Sequence, residues 1–305
     1  MPTDRRVQFD FEVDFSNGGG IQGQGFRLDI EGADISEAAL CDYLVRDLRL
    51  LMVAEVRIIN KTILVEAHKR GEDSRPVGES RSRLVDLSHT VEDGMVTYRG
   101  LPPPQISDFL TRESSRERYA PGTQFHIGRI DMVANTGTYV DSPFHRFANG
   151  ADLSELLLET LADLPALVVR VTEAADRAID RSSLLPYDVA GKAVLIHTGW
   201  AAWWRTDQYF EGHPHLTAVA ATWLVENGAA LVGIDSFNID SISTGERPVH
   251  TTLLAQGIPI VEHLRGLEQL PSEGARFTAV PVKVRGMGTF PVRAFASLSS
   301  GPGHG

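Results

Sequence analysis

The sequence predicts an α/β protein in which a small α+β module precedes a larger α/β domain. Three observations support this prediction. Apolar and polar residues alternate over residues 7–15, as they do in a strand with one buried face. Residues 70–83 are charged and nearly free of apolar side chains, which is typical of a linker. From residue 84 to residue 305, strand-like and helix-like segments alternate.

The N-terminal module, residues 1–69, is predicted to have the element order ββαββ. Asp34 is the expected N-cap of its helix, and Glu37, three residues later, is the second half of a capping box. Asn60 and Lys61 are expected to form a tight turn between the last two strands. The predicted elements are strands over residues 7–15, 26–30, 53–59 and 63–65, and a helix with Leu40, Leu44, Leu48 and Leu51 on one face.

The domain at residues 84–305 is predicted to contain an α/β core. Its apolar runs predict strands, and Gly228 is the expected C-cap of the second predicted helix. The predicted strands cover residues 166–171, 193–197, 230–234, 258–261 and 277–284, and the predicted helices cover residues 152–161 and 217–226. Hydrophobic period and spacing alone do not give the order of the strands.

Composition and charge narrow the classes of partner. The chain carries 29 basic and 40 acidic side chains, for a net charge of −11 with histidine neutral. Nucleic acid and anionic membranes bind basic surfaces, so we expect neither as a partner, and the acidic balance itself identifies no other partner. The single Cys41 excludes a disulfide framework and a thiolate zinc site within one chain. No secretory signal or long apolar run is visible, so a cytoplasmic location is expected.

Residues 135–145 form the first candidate site. Asp141 and His145 are four residues apart, and Pro143 between them makes a regular helix unfavourable. A carboxylate and an imidazole held in a constrained loop can bind a metal or act as an acid/base pair. The structural alternative is an aspartate that accepts backbone hydrogen bonds in a turn. On this segment alone the structural alternative is favoured.

Residues 250–262 form the second candidate site. His250 opens a helix-like piece, and Glu262 directly follows an apolar strand. A carboxylate at this place needs a partner, because a buried and unpaired charge is costly. Either a metal ion or a nearby arginine can supply that partner.

Together these segments resemble the cyclase family of metal-dependent hydrolases, which includes bacterial kynurenine formamidase and isatin hydrolase. The family motif is His-x-Gly-Thr-His-x-Asp-x-Pro-x-His, with a later histidine twelve residues before a glutamate. The chain retains Gly137, Thr138, Asp141, Pro143 and His145 of the motif, and the spacing of His250 and Glu262. The resemblance covers about residues 84–298 and implies the family's swivelling β/β/α fold.

The chain departs from the motif at its first two histidines, which are Asn135 and Tyr139 here. In the family these two histidines and the aspartate hold one metal of a two-metal site. The aspartate, the later histidine and the glutamate hold the second metal. With the two motif histidines replaced, the resemblance implies that Asp141, His250 and Glu262 hold a single divalent metal, zinc or manganese. His145 occupies the position of the catalytic acid/base. The expected activity is hydrolysis of an amide, lactam or ester carbonyl.

Two other classes of function stay open. Tyr139 offers a phenol beside Asp141 and His145, which suits a metal-independent lyase, isomerase or cyclase. The third alternative is a pseudoenzyme or binding module, in which the N-terminal module makes the functional contact. Family members are usually homo-oligomers, so the resemblance also implies at least a dimer.

Four side chains are candidates for binding the substrate: Asn135, Arg146, Trp200 and Trp204. Arg146 directly follows His145 and pairs either with a substrate carboxylate or with Asp152. The two tryptophans belong to an aromatic-rich segment, which lines a pocket, a core or an interface.

Overall fold

The computed structural model describes residues 4–30, 32–66, 83–172 and 177–298. The chain is divided into two compact units, Met1–Glu79 and Ser80–Gly305. The predicted linker over residues 70–83 lies outside the described residues except for Arg83, which begins a strand.

The N-terminal unit is a three-stranded antiparallel sheet packed against one helix. Its elements are β1 (Asp4–Phe15), β2 (Gly20–Ile30), α1 (Glu37–Asp47) and β3 (Val53–Glu66), and the sheet order is β2-β1-β3. The alternation over residues 7–15 places one face of β1 against the helix, because every second residue of a strand shares a face. The core of this unit contains Val7, Phe9, Phe11, Val13, Leu28, Leu40 and Leu44.

The predicted order ββαββ is not observed, because the last two predicted strands are one strand, β3. Asn60 and Lys61 do not reverse the chain. They form an irregularity in the pairing of β3 with β1, where Asn60 takes a positive φ of 54° that asparagine tolerates. Residues on both sides of Asn60 pair with the same neighbouring strand, so the chain continues in one direction.

The N-cap of α1 is Ser36, not the predicted Asp34. The Ser36 side chain accepts a hydrogen bond from the backbone N–H of Ala39. The Asp34 carboxylate instead accepts from the N–H of Ile35 and forms an ion pair with Lys61 at 2.9 Å. Leu40 and Leu44 are buried as predicted, whereas Leu51 lies beyond the helix and is 82% exposed.

The C-terminal unit is built on one mixed sheet of nine strands in the order β15-β7-β13-β12-β10-β8-β14-β16-β4. Its strands are β4 (Arg83–Asp86), β5 (Gln105–Leu110), β6 (Ile127–Asp131), β7 (Tyr139–Asp141), β8 (Leu164–Arg170), β9 (Ala178–Ile179), β10 (Ala193–His197), β11 (His215–Leu216), β12 (Leu231–Ile234), β13 (Ile260–Glu262), β14 (Ala275–Thr278), β15 (Thr289–Pro291) and β16 (Phe295–Leu298). Its α-helices are α2 (Arg112–Ser115), α3 (Ala218–Glu226) and α4 (Pro248–Ala255).

The central strands β8, β10, β12 and β13 are parallel, and both of their faces are buried. Val194 and Ile196 of β10 belong to a core that includes residues of α3 and α4. Leu195 belongs to a second core on the other face. Burial on both sides explains why these strands read as continuous apolar runs. β5 and β6 form a separate antiparallel ribbon, and β9 pairs with β11.

Two predicted elements of this unit are wrong. Residues 152–161 were expected to be a helix but contain only a short 3₁₀ turn, Leu158–Thr160. The Asp152 carboxylate accepts from Ser154 and from the distant Gly286, which holds the segment in a turn. The last predicted strand ends at Thr278 rather than at residue 284. Pro281 follows shortly and lacks the N–H that a sheet needs.

Helix α3 is confirmed. Thr217 caps its N-terminus, and Gly228 follows its C-terminus with a φ of 74°. Across the parts of the chain that the structure describes, no helix combines the length and apolar character needed to cross a bilayer.

Candidate active site

Strand register brings four site residues together on β7 and its two neighbours. β7 lies between β13 and β15. Tyr139 stands opposite Glu262 of β13, and Asp141 stands opposite Thr289 of β15. Directly opposed residues have their side chains on one face of the sheet and within reach of each other. Both pairs are hydrogen-bonded, each at 2.5 Å.

Thr289 connects Asp141 to His145. Its hydroxyl donates to Oδ1 of Asp141, so towards Nδ1 of His145, at 2.8 Å, it acts as the acceptor. This arrangement places the imidazole proton on Nδ1 and leaves Nε2 of a neutral His145 with a free lone pair. The 3₁₀ turn Pro143–His145 carries the imidazole, and about a third of that side chain is exposed.

The second carboxylate oxygen of Asp141 has no hydrogen-bond partner among the described residues. Asp141 is fully buried, and its Oδ2 atom lies 3.6 Å from Nε2 of His250. A buried carboxylate oxygen without a partner is costly. The atom therefore marks a place where a cation can bind.

His250 is held at the N-terminal turn of α4 by Asp240. One Asp240 oxygen accepts from the N–H of Val249, and the other accepts from the N–H and Nδ1 of His250 at 3.0 and 2.7 Å. Nδ1 therefore carries a proton, and Nε2 points towards Asp141 and Glu262. Burial lowers the pKa of His250, but the neighbouring carboxylates of Asp141, Asp240 and Glu262 outweigh it and raise that pKa to about 10.

Glu262 is held from two sides. The phenol of Tyr139 donates to Oε2, and the backbone N–H of Ile239 donates to Oε1 at 2.6 Å. Burial raises the pKa of Glu262 to about 7, with His250 opposing that shift and Asp141 adding to it. Burial and the neighbouring Glu262 carboxylate raise the pKa of Tyr139 well above its usual value, so the phenol stays protonated. The Asn135 side chain slightly opposes this rise in the pKa of Tyr139.

These groups face a cavity of about 380 Å³. Six of the predicted site residues line it: Asn135, Tyr139, His145, Arg146, His250 and Glu262. Asp141 lies buried beside them. The cavity wall also contains residues that the sequence did not single out: Tyr98, Arg99, Gly100, Leu101, Asn238 and Arg247.

The structure does not bring Trp200 and Trp204 to this cavity. Trp200 is buried, and its indole N–H donates to the backbone carbonyl of Tyr209. Trp204 stacks on His89 with ring centroids 3.9 Å apart and lines a different depression. The aromatic segment thus packs largely against itself, because flat rings bury large apolar areas against one another.

Arg146 does not pair with Asp152. Its Nε atom donates to the hydroxyl of Thr251 on α4, while the Asp152 carboxylate accepts from Ser154 and Gly286. Arg146 therefore stays on the cavity wall.

Sequence reasoning missed Thr289, and a weak signal for it exists at Gly288. A Cβ atom on Gly288 would lie 2.3 Å from the backbone N of His145, so only glycine allows this contact. The backbone carbonyl of Gly288 also accepts from the N–H of Ser142. A glycine immediately before a hydroxyl residue thus marks the place where β15 meets the His145 turn.

One group of side chains at this cavity is close enough together that it could hold a metal ion. Among the described residues, Asp141, His145 and His250 form a group whose ligand atoms all lie within 4.8 Å of one another. In the ligand set predicted from the sequence, Asp141, His250 and Glu262, Nε2 of His250 lies 3.6 Å from Oδ2 of Asp141 and 3.8 Å from Oε1 of Glu262. Two ligand atoms bound to one zinc at about 2.0–2.1 Å lie roughly 3.3 Å apart in a tetrahedral site. Both sets share Asp141 and His250.

Comparison with known proteins identifies the family. The family described as "Putative cyclase" matches residues 85–241, just over half of the chain. The chain belongs to this family, which confirms the predicted resemblance.

Among its relatives are two kynurenine formamidases. That of Bacillus cereus is 25% identical over 214 residues, which cover 70% of this chain and 96% of the relative. That of Geobacillus thermodenitrificans is 28% identical over 211 residues, which cover 69% and 95%. These relatives are hydrolases.

Solved structures show the same fold. Isatin hydrolase A from Labrenzia aggregata, bound to benzyl benzoate, aligns with a TM-score of 0.62 at 21% identity over 72% of this chain and 94% of that chain. A potential metal-dependent hydrolase with cyclase activity aligns with a TM-score of 0.59 at 25% identity over 72% and 100%.

Proposed function

We propose that this chain is a hydrolase that cleaves an amide, lactam or ester carbonyl of a small molecule at one divalent metal. The observation that carries the proposal is the buried, unpartnered Oδ2 of Asp141, which faces Nε2 of His250. The other nitrogen of His250 is fixed by Asp240. A carboxylate that orients a histidine from behind is the usual support of a metal ligand. Membership of the cyclase family and hydrolytic relatives agree with the proposal.

Asp141 and His250 are the side chains that would hold the ion, with Glu262 as the third. Oε1 of Glu262 accepts one backbone N–H and keeps a second lone pair. A bound zinc or manganese ion supplies positive charge that polarises a carbonyl and lowers the pKa of water. We assign His145 to proton transfer, because Thr289 already occupies its Nδ1.

The proton path runs through His145. Its Nε2 takes a proton from the water that adds to the carbonyl carbon, and returns it to the leaving nitrogen or oxygen as the bond between that atom and the carbonyl carbon breaks. The Thr289 hydroxyl, which donates to Asp141, accepts the Nδ1–H, so the imidazole keeps the orientation and tautomer that this transfer requires. Tyr139 has its phenol proton engaged by Glu262, so in this proposal it positions that carboxylate.

A metal-independent lyase or isomerase is the second candidate. The chain from Asp141 through Thr289 to His145 favours it, because this hydrogen-bonded set needs no ion to orient the imidazole. In this candidate Asp141, His145 and Tyr139 are the acid/base groups, and Tyr139 must give up its hydrogen bond to Glu262 before it can protonate a substrate.

One experiment separates the two candidates. The full-length protein is stripped with chelator, reloaded with zinc or manganese, and analysed for bound metal and for hydrolysis of formanilides, lactams and aryl esters. We expect about one ion per chain, activity that chelator removes and metal restores, and loss of the ion in His250→Ala. Trp203→Phe, on the exposed side of a 3₁₀ turn away from the cavity, is the control and keeps the ion. A protein that retains no metal, or whose activity survives chelator, contradicts the proposal.

A further inference from the structure

Three arginines stand on the wall of the active-site cavity, and their charges are not equivalent. Arg99, Arg146 and Arg247 all line the cavity. Arg99 is neutralised by Asp207 at 2.9 Å and by Glu211 at 3.3 Å. Within the described ranges, neither Arg146 nor Arg247 has a carboxylate within ion-pair distance. Two guanidinium groups on this cavity wall thus lack a direct ion pair.

Arg146 directly follows the 3₁₀ turn Pro143–His145, Arg247 directly precedes α4, and Thr251 of α4 connects the two. Nε of Arg146 donates to the Thr251 hydroxyl at 3.1 Å, and that hydroxyl donates to the backbone carbonyl of Arg247 at 2.7 Å. Thr251 therefore ties the Arg146 side chain to the backbone of Arg247, and both guanidinium groups line the same cavity. His250, next to Thr251, contributes its imidazole to the catalytic side of the same cavity.

Both guanidinium groups are oriented and keep donors for a ligand. Nη1 of Arg247 donates to the carbonyls of Ser241, Thr244 and Glu246, which fixes the plane of that group. Its Nε and Nη2 atoms, and both Nη atoms of Arg146, contact no acceptor in the part of the chain that the structure describes. A planar guanidinium group that is held in one orientation and has free N–H groups can form two parallel hydrogen bonds to a carboxylate.

From this geometry we infer that the substrate carries a carboxylate, which Arg146 and Arg247 bind while the reacting carbonyl lies near His145 and His250. The inference rests on the proposed function, since it takes this cavity as the substrate site. The side chains of Tyr98 and Leu101 supply apolar surface on the same wall, so the preferred substrate joins an apolar body to the carboxylate.

Binding of matched acids and amides tests the inference without requiring turnover. The probes are benzoate, phenylacetate and 3-phenylpropionate, each compared with its primary amide, which has the same shape and no charge. Affinities are measured by isothermal titration calorimetry and ligand-observed NMR with the full-length protein. The variants are Arg146→Gln, Arg247→Gln and, as a charged but non-bidentate replacement, Arg146→Lys. Arg181→Gln is the matched control, because Arg181 is exposed and lies in another 3₁₀ turn of the same unit.

We expect the wild type to prefer at least one acid over its amide. Each glutamine variant should weaken acid binding about ten-fold or more, since a hydrogen bond to a charged group is worth that much. Amide binding should change by less than about two-fold. Arg146→Lys should recover part of the loss, and Arg181→Gln should match the wild type.

Three results overturn the inference: no acid binds the wild type, the glutamine variants bind acids normally, or acids and amides weaken equally. The last result means that the arginines only balance the buried carboxylates of the site. Arginine-dependent acid binding in a protein without hydrolytic activity refutes the proposed function and leaves this inference standing. Hydrolysis of neutral amides without any preference for acids supports the proposed function and refutes this inference.

Discussion

At the scale of single residues, the chemistry of this site depends on which hydrogen bond each polar atom makes. Asp240 fixes one nitrogen of His250, and Thr289 fixes one nitrogen of His145, so both imidazoles present their Nε2 atoms with a defined role. Asn135 and Tyr139 replace two motif histidines, and the phenol uses its proton on Glu262. Where the family resemblance implies a metal ligand, Tyr139 instead supports a neighbouring carboxylate.

Thr289 allows a sharp test of the proton path. Thr289→Val preserves the shape of the side chain but removes the hydroxyl that joins Asp141 to His145. We expect kcat to fall about 10–100-fold, since losing a group that orients a catalytic histidine has an effect of this order. KM should stay within about two-fold. The measurement is steady-state kinetics on the hydrolysed substrate at constant metal loading.

Thr289→Ser is the control for that variant, because serine keeps the hydroxyl, and it should retain most of the activity. If Thr289→Val works as fast as the wild type with its metal content unchanged, the role assigned to this hydroxyl is wrong.

At the scale of elements, the site depends on β15 lying close to the turn that carries His145. Gly288 makes this possible, since its α-carbon sits against the backbone of Phe144 and His145. The register of β7 with β13 and β15 then aligns two acceptor–donor pairs on one face. Short strands of three residues each are thus enough to place Tyr139, Asp141, Glu262 and Thr289.

Gly288→Ala tests this close approach. The added methyl group would meet backbone atoms that cannot rotate away, so the turn or the strand must shift. We expect a loss of about 1–3 kcal/mol in the free energy of unfolding, in the range seen for overpacked sites. Activity should fall with it, because the shift displaces His145. Urea denaturation and kinetics measure the two effects.

The matched control is Gly245→Ala, where an added Cβ meets nothing within 4 Å. Its stability should change by less than about 0.5 kcal/mol. Equal stability of the two variants would show that the contact at Gly288 is not tight in solution.

At the scale of the whole molecule, the described surface carries apolar side chains on the ribbon of β5 and β6. Ile106, Phe109, Ile127 and Ile130 are 41%, 71%, 46% and 55% exposed. Clustered apolar exposure of this kind is typical of a surface that another protein covers. It agrees with the homo-oligomer that the family resemblance implies, which stays a prediction.

We expect a mass of at least twice 33.4 kDa by size-exclusion chromatography with light scattering. Ile130→Lys should shift the protein towards the monomer, because burying an unpaired charge at an interface is costly. Val219→Lys replaces a half-exposed residue of α3 and should leave the mass unchanged. A wild-type mass near that of one chain at micromolar concentration refutes the prediction.

The sequence by itself determined the family, the α/β class of the larger unit, helix α3, the apolar central strands and the residues around which the site is built. Local rules suffice there, since a strand buried on both faces or a capped helix leaves a pattern in neighbouring residues. Asp141, His145, His250 and Glu262 were found because motif spacing preserves them, although their contact distances were not predictable.

Only the tertiary structure decided which groups meet across long separations in the chain. Thr289 is 148 residues from Asp141, and the arginine pair is joined through Thr251. The tertiary structure also places Trp200 and Trp204 outside the cavity lining. It has a short 3₁₀ turn where a helix was predicted over residues 152–161, and one strand, β3, where two were predicted. The physical reason is common to all of them: each depends on a partner that the fold brings near, and local sequence carries no record of that partner.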